Sequence, residues 1–374
     1  MIKILFLINT LGGGGAEKVL VNLVNNMDRS QFDITVETMF SGGVNQTILK
    51  PDIKYICKNA FTMKGISHIY KFLPSKYLYK KFINQEKYDI IVAYMHNLPV
   101  KVITGCQYPA TKLIGWLHCG TVEEKTYCTC WHTKNSANKS YNRCDVLVGV
   151  SKLVVKEFER FFNVTTDCCS IFNTNDTKLI KTLSQEKPTV AINQETISIS
   201  TVGRLSFEKG NDRLVNAANE LLNQGYDFHV FIIGEGAEKQ NLIEQIQKYG
   251  IENNVHLLGF HKNPYAIVRN TDIFVCPSRI EGFSTAVTEA VILNKPVVST
   301  EVSGAKEILG ENNEFGLVVE NSTDGVYEGI KRLLDDNSLL SHYRAQAEKR
   351  AVDFETEKTV QQAEDLFKSL LINK

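Results

Sequence analysis

RIEGFSTAVTEA, residues 279–290, sets Glu281 and Glu289 eight positions apart across a strand-to-helix junction. Upstream, the apolar run 272–276 reads as a β-strand that Pro277 and Ser278 bring to a stop. Downstream, residues 284–293 read as a buried helix with Ala286, Val287, Ala290 and Val291 on its apolar side. Ser284 has the side chain of an N-cap, and Gly282 lets the backbone turn sharply and leaves room for a ligand. The start of such a helix gathers anions, because unpaired N–H groups and the helix dipole converge there. Two carboxylates at its rim suit another task, accepting hydrogen bonds from sugar or ribose hydroxyls. Amides for phosphate and carboxylates for hydroxyls describe a nucleotide-sugar site. The plainer alternative is that both glutamates are ordinary solvated helix residues.

The rest of the chain repeats that strand-to-helix rhythm. Strands are predicted at 3–8, 33–39, 90–94, 113–117 and 146–150, with amphipathic stretches such as 16–26 between them. From 181 to 196 the pattern dissolves into a polar stretch with one proline, and then it restarts. The second series of strands is 197–202, 228–233, 255–258, 273–276, 297–299 and 317–319. Alternation of this kind predicts parallel sheets covered by helices on both faces. We therefore expect an α/β protein of two doubly wound, Rossmann-like domains facing a cleft, with ligands at the carboxyl ends of the strands. The expected division is 1–185, a linker at 186–196, a second domain at 197–354, and a terminal helical segment at 355–374 that packs back on the first domain.

Composition narrows the function classes. At 374 residues the chain is long for one core, and 43% hydrophobic with 22% charged residues marks a globular protein. Lysine plus arginine equals aspartate plus glutamate at 42 each, so nothing in the bulk charge favours nucleic acid. No apolar run is long enough to span a bilayer, and the five apolar residues from Ile4 to Ile8 read as a first strand rather than a leader. The nine cysteines are expected reduced, in a cytoplasmic protein. Cys119, Cys128, Cys130, His132 and Cys144 cluster without the paired spacing of a zinc site, so no metal is expected there.

Four other segments carry candidate site residues. Gly12, Gly13, Gly14 and Gly15 follow the first strand and open the first helix. A dinucleotide fingerprint would need a third glycine where Glu17 or Lys18 stands, and a phosphate-binding P-loop would need G-K-[ST], which is absent. His118 ends the strand in W-L-H. In VGRLSFEKG, residues 202–210, Arg204 and Lys209 can converge on a diphosphate, one as a fork and one as a point charge. They can equally be surface charges paired with Glu208 or Asp212. Gly234 lies in a tight G-E-G turn, and the run 255–261, with Phe260, can form a floor for a base. Between Thr62 and Tyr88, six lysines (Lys64, Lys71, Lys76, Lys80, Lys81 and Lys87) stand against one acid, Glu86, with aromatics interleaved. That segment suits either an anionic membrane surface or a solvated helix with aromatic core contacts.

Taken in order, GGGAE, WLH, VGRL…EKG, GEG, FVCPS, EGFS…TEA and VSGAKE resemble glycosyltransferase family 4, the retaining transferases of GT-B architecture. The resemblance runs from Met1 past Val319 and is most specific in the second half. It implies transfer of a hexose or N-acetylhexosamine from a nucleotide diphosphate, usually UDP, with retention. No D-x-D metal-binding signature is present, so no metal or other cofactor is expected. It implies that Arg204 and Lys209 neutralise the leaving diphosphate. Glu281 would lie near the donor sugar and Glu289 would hold the ribose. Amides of Gly282, Phe283 and Ser284 would complete the donor contacts. The glycine loop, Gly13 to Gly15, would close over the donor, and His118 would contact the sugar. The chain departs from the pattern at Asn294, where glycine is common, and in the cysteine-rich segment 119–144. The expected acceptor is a glycan, lipid-linked on a polyprenyl diphosphate, reached from the inner face of the cell membrane as a peripheral protein. A sugar-nucleotide epimerase of related fold and a non-catalytic nucleotide-sugar binder stay open as alternatives. A nicotinamide oxidoreductase is disfavoured by Glu17.

Overall fold

The structure, a computed structural model, describes residues 1–58, 70–84, 86–118, 120 and 124–372. It divides into two compact units, Met1–Thr174 with Thr356–Lys374, and Asn175–Glu355.

In the first unit seven strands form one sheet: β1 (Ile2–Ile8), β2 (Phe32–Thr38), β3 (Lys54–Cys57), β4 (Ile90–Ala93), β5 (Lys112–Leu117), β6 (Val146–Gly149) and β7 (Asp167–Ser170). Their order is β3-β2-β1-β4-β5-β6-β7, and every pair is parallel. The helices between them are α1 (Gly15–Asn26), α2 (Ser75–Phe82), α3 (Leu98–Ile103), α4 (Lys134–Tyr141) and α5 (Lys152–Phe161). Strands covered on both faces must be apolar on both, and β4 and β6 are buried along their whole length. The edge strands β3 and β7 were not expected from the sequence. They are short (KYIC and DCCS) and only half-buried, so they lack the apolar run that marks the inner strands.

The second unit opens with α6 (Thr177–Ser184) and continues with six parallel strands. These are β8 (Ile197–Val202), β9 (Phe228–Ile233), β10 (Val255–Gly259), β11 (Ile273–Cys276), β12 (Val297–Thr300) and β13 (Leu317–Val319), ordered β10-β9-β8-β11-β12-β13. Around them lie α7 (Asn211–Asn223), α8 (Lys239–Tyr249), α9 (Tyr265–Asn270), α10 (Thr285–Ile292), α11 (Ala305–Leu309), α12 (Thr323–Asp335) and α13 (Asn337–Ala351). One core joins Ile199, Val230, Ile232, Val275 and Val298 of the sheet to Leu214, Leu221, Val326 and Ile330 of the helices. Each such side chain contributes about 1.5–3 kcal/mol by leaving water.

The expected boundary needs correction. The first unit ends at Thr174 rather than at 185, because α6 packs on α9 and α10 of the second unit. The stretch 186–196 is not a free linker either. Asn263 Nδ2 donates to Glu186 Oε2 at 2.9 Å, Thr189 Oγ1 meets His261 Nδ1 at 3.1 Å, and Gln194 Nε2 donates to the Asn270 carbonyl at 3.3 Å. The terminal helix, α14 (Thr356–Ile372), belongs to the first unit. Phe367 packs edge-on against Phe6 and Phe32, and Glu364 Oε1 accepts from the Asp28 amide at 2.6 Å.

Both sheets have the doubly wound order, in which the connections on either side of the first strand wind opposite ways. A crevice therefore opens where β1 meets β4 and where β8 meets β11, at the strands' carboxyl ends.

Candidate active site

In the second unit the crevice is built by two loops, 203–210 after β8 and 277–284 after β11. The first is braced by β9: Gly203 N–H donates to the Ile233 carbonyl at 3.0 Å and Leu205 N–H to the Glu235 carbonyl at 2.9 Å. It then makes one tight turn, Phe207–Lys209, and enters α7 through Gly210 at φ 65°. Only glycine suits that position, since a Cβ there would lie 2.1 Å from the Pro277 carbonyl oxygen. Gly234 meets the same demand, at φ 150° with the Gly203 carbonyl 1.8 Å from where a Cβ would sit. The two loops are tied directly by the Arg279 amide, which donates to the Glu208 carbonyl at 2.7 Å.

Those constraints bring Lys209 to Glu281. Lys209 Nζ lies 2.6 Å from Glu281 Oε1, and the Ser278 hydroxyl donates to the same oxygen at 2.8 Å. Burial of the ammonium works against its charge, but the Glu281 carboxylate outweighs that and holds the Lys209 pKa above the ordinary lysine value. Arg204 is exposed and makes no ion pair among the described residues. A small pocket opens here, lined among others by Thr201, Gly203, Lys209, Cys276, Ser278 and Glu281.

The two cations differ in the neighbours they meet. Asp212 is taken by Arg279, whose guanidinium grips it at 2.8 and 2.6 Å and stacks over the Phe207 ring at 4.1 Å. Glu208 is held below the usual carboxylate range chiefly by the Ser206 hydroxyl. Lys209 thus turns inward to Glu281, and Arg204 is left open.

Ser284 caps α10, accepting from the Val287 amide at 3.4 Å. Gly282, Phe283 and Ser284 are buried, and the Phe283 ring packs on Phe354. Glu289 lies in the second turn of α10, 7% exposed, with the Tyr265 hydroxyl donating to Oε1 at 3.2 Å. It is not a solvated surface glutamate. Phe260, just past β10, has a ring 71% exposed.

In the first unit, α1 has Gly14 at its N-cap with no side-chain cap, and Gly13 and Gly15 are exposed. Asn45 fixes the loop, donating through its side chain to the Gly12 carbonyl and through its amide to the Leu11 carbonyl at 3.1 Å. His118 follows β5, its ring 4.7 Å from that of Tyr94. Burial, helped by His96, pushes its pKa down to about 3, and Nε2 has no partner among the described residues. His96 is a group the sequence reading missed; burial pushes it down to about 4. It lies three residues past β4 as His118 lies one past β5, and that placement near a strand end was the available signal. Ser278 and Tyr265 were missed as well, because a hydroxyl that serves a carboxylate has no spacing signature.

Cys119 and residues 62–69 of the basic segment lie outside the described residues. Cys106, Cys130 and Cys144 are free thiols, and no group of three potential metal ligands occurs among the described residues. Of the aromatics in 62–88, Tyr70, Tyr79, Phe82 and Tyr88 are buried, so only Phe72 and Tyr77 face solvent beside Lys76 and Lys80. No helix among the described residues is long and apolar enough to cross a membrane.

Known proteins resemble this chain in sequence and in fold. Residues 184–350 match the family described as glycosyl transferases group 1. A relative from Campylobacter jejuni is 28% identical, covering 99% of this chain and all of its own; it is the N-acetylgalactosamine-N,N'-diacetylbacillosaminyl-diphospho-undecaprenol 4-alpha-N-acetylgalactosaminyltransferase. A second Campylobacter jejuni enzyme, also an alpha-1,4-N-acetyl-D-galactosaminyltransferase acting on a diphospho-undecaprenol glycan, is 23% identical over 95% of each chain. Among solved structures, Anabaena HepE in complex with UDP superposes with a TM-score of 0.76 at 20% identity, covering 98% of this chain and 100% of that one. With two doubly wound sheets of GT-B fold, a group 1 match across the second of them and relatives of one kind from end to end, the chain is similar to the group 1 glycosyltransferases.

Proposed function

We propose that this glycosyltransferase moves an N-acetylhexosamine or hexose from a UDP-sugar to a hydroxyl of a glycan carried on a polyprenyl diphosphate, with retention of configuration. The observation that carries the reading is the grouping of Arg204, Lys209 and Glu281 at the switch point of the second sheet, next to the capped start of α10. Arg204 and Lys209 take the diphosphate, the Glu281 carboxylate takes a donor-sugar hydroxyl, and Glu289 takes the ribose. Phe260 offers an open ring for the base. From the first unit we assign His118 and the amides of Gly13, Gly14 and Gly15 to sugar recognition.

The chemistry follows from charge. As the bond from the anomeric carbon to the diphosphate oxygen breaks, negative charge grows on the leaving group and the ring gains oxocarbenium character. Fixed donors aimed at that developing charge lower the barrier, one being worth roughly 3 kcal/mol. Two cations and a helix terminus do here what a divalent metal does elsewhere, so we propose a metal-independent reaction. The acceptor oxygen then bonds the anomeric carbon from the face the diphosphate leaves, and its proton passes to the departing phosphate oxygen. The alternative, double displacement through a protein nucleophile, would use Glu281. The names of the Campylobacter relatives, alpha-transferases acting on diphospho-undecaprenol glycans, support both the acceptor class and retention, since UDP-sugars are themselves α-linked.

The described part of 62–88 supports contact with an anionic membrane surface through Lys76, Lys80, Phe72 and Tyr77. Glu86, the one acid of that segment, is neutralised by Lys54. The deciding experiment incubates the enzyme with UDP-glucose, UDP-galactose and their N-acetylamino counterparts, with and without a synthetic polyprenyl-diphosphate disaccharide, in a chelator. Acceptor-dependent release of UDP with an α-linked product is the expected result. A changed sugar nucleotide without acceptor would favour the epimerase, and UDP binding with no turnover would favour the silent binder.

A further inference from the structure

We propose that Ser278 is a positioning residue that decides which oxygen of the Glu281 carboxylate faces the donor sugar. The inference rests on the donor-site reading above and deepens it. Ser278 is 1% exposed, and its hydroxyl donates to Glu281 Oε1 at 2.8 Å, the oxygen already engaged by Lys209 Nζ at 2.6 Å. Oε2 has no partner among the described residues, and the Glu281 side chain keeps 11% of its surface open. One carboxylate oxygen is thus saturated from inside the protein and the other is left to accept from outside.

The two donors on Oε1 differ in what they can fix. Lys209 carries its charge on a four-carbon stem and can follow either oxygen if the carboxylate rotates. Ser278 cannot follow. Its side chain is one carbon long, and its backbone is pinned because the Thr300 hydroxyl donates to the Ser278 carbonyl at 2.6 Å. Cys276 Sγ, 3.5 Å from the hydroxyl, is a weak partner and does not compete with the carboxylate. Lys209 therefore supplies charge and Ser278 supplies orientation.

The test uses the whole enzyme and calorimetry with two probes, UDP and whichever of UDP-glucose, UDP-galactose, UDP-N-acetylglucosamine and UDP-N-acetylgalactosamine binds tightest. The readout is the ratio of the two dissociation constants, which isolates the sugar. Ser278→Ala is expected to raise that ratio about 5- to 10-fold, the size of one hydrogen bond, with UDP affinity within about twofold of wild type. Ser278→Cys, of similar volume and with a weak donor, carries the same expectation should the alanine variant melt early.

An unchanged ratio overturns the proposal, and so does a parallel fall in affinity for UDP and UDP-sugar. If wild type binds both probes and Glu281→Gln raises the ratio while Ser278→Ala does not, this inference alone fails. If wild type binds neither probe, the donor-site reading falls and takes the inference with it.

Discussion

Arg204 and Lys209 do not occupy equivalent positions, and their variants should separate accordingly. Arg204 is exposed with no ion pair among the described residues, so Arg204→Ala removes nothing that folding uses. We expect stability within about 0.5 kcal/mol of wild type and kcat/KM down by roughly 100- to 1,000-fold. Lys209→Ala should lose as much turnover and also destabilise by about 1–3 kcal/mol, because the Glu281 carboxylate would be left with only Ser278 beside it. Adding Glu281→Gln to Lys209→Ala should restore much of the stability and none of the activity; thermal melts and single-turnover rates on the two single variants and the double variant check this. Full activity in Arg204→Ala would contradict its role. His118 gives a pH argument of its own. With its pKa pushed down to about 3, the imidazole is neutral throughout any usable assay range, so it accepts hydrogen bonds and cannot serve as a general acid. A His118→Ala variant should therefore lower turnover without moving the acid limb of the pH–rate profile.

The C-terminus of α10 shows how an element is finished by residues that the site never touches. Asn294 takes φ 58°, and the Lys295 amide donates back to the Ala290 carbonyl at 3.0 Å, the six-to-one bond of a left-handed helix stop. Asparagine tolerates that conformation, which explains why it can stand where glycine is common. Asn294→Gly should change stability by a few tenths of a kcal/mol, and Asn294→Val should lose roughly 1–2 kcal/mol by chemical denaturation. Lys295 then caps α9, donating to the Arg269 and Thr271 carbonyls at 2.5 and 2.6 Å. Burial, with Arg344 adding to it, pushes its pKa down to about 8. The folded state then binds fewer protons than the unfolded one between about pH 8 and pH 10.5, so stability should rise with pH through that window. Relative to Lys295→Met, wild type should gain roughly 2 kcal/mol from about pH 7 to pH 10. The same elements show what was legible in advance. The strands that a buried parallel sheet requires to be apolar stand out in the sequence, as does the glycine-marked turn at each strand end. The half-polar edges β3 and β7 do not. Nor does the assignment of α6, since its place depends on α9 and α10, some eighty and more residues downstream. Lys209 and Glu281 could be named as candidates from motif spacing, but their mutual contact is a tertiary fact that spacing does not contain.

At the scale of the whole molecule, two compact units with their own sheets need not unfold as one transition, so a single melting temperature is a poor measure of ligand binding. Hydrogen exchange resolves the units. Saturating UDP at about 100 times its dissociation constant adds roughly 2.7 kcal/mol to whatever it binds, and we expect slowed exchange in 203–210 and 281–289 of the second unit. Slowed exchange confined to the first unit would contradict the donor assignment. The chain's charges balance overall, so attraction to a membrane must come from a local patch. The described part of that patch is the outer side of α2, where Lys76 and Lys80 are one turn apart and exposed while Leu78, Tyr79 and Phe82 are buried in the core. Lysines near anionic headgroups contribute about 1 kcal/mol each, so reversing two of them changes binding by roughly 2–4 kcal/mol. Lys76→Glu with Lys80→Glu should then cut flotation with phosphatidylglycerol vesicles by more than about 30-fold in apparent affinity, leave neutral vesicles unaffected, and leave transfer to a short-chain soluble acceptor intact. Because both lysines are solvent-exposed, a melt matching wild type is expected alongside. Flotation that survives the double reversal would place membrane attachment on another surface.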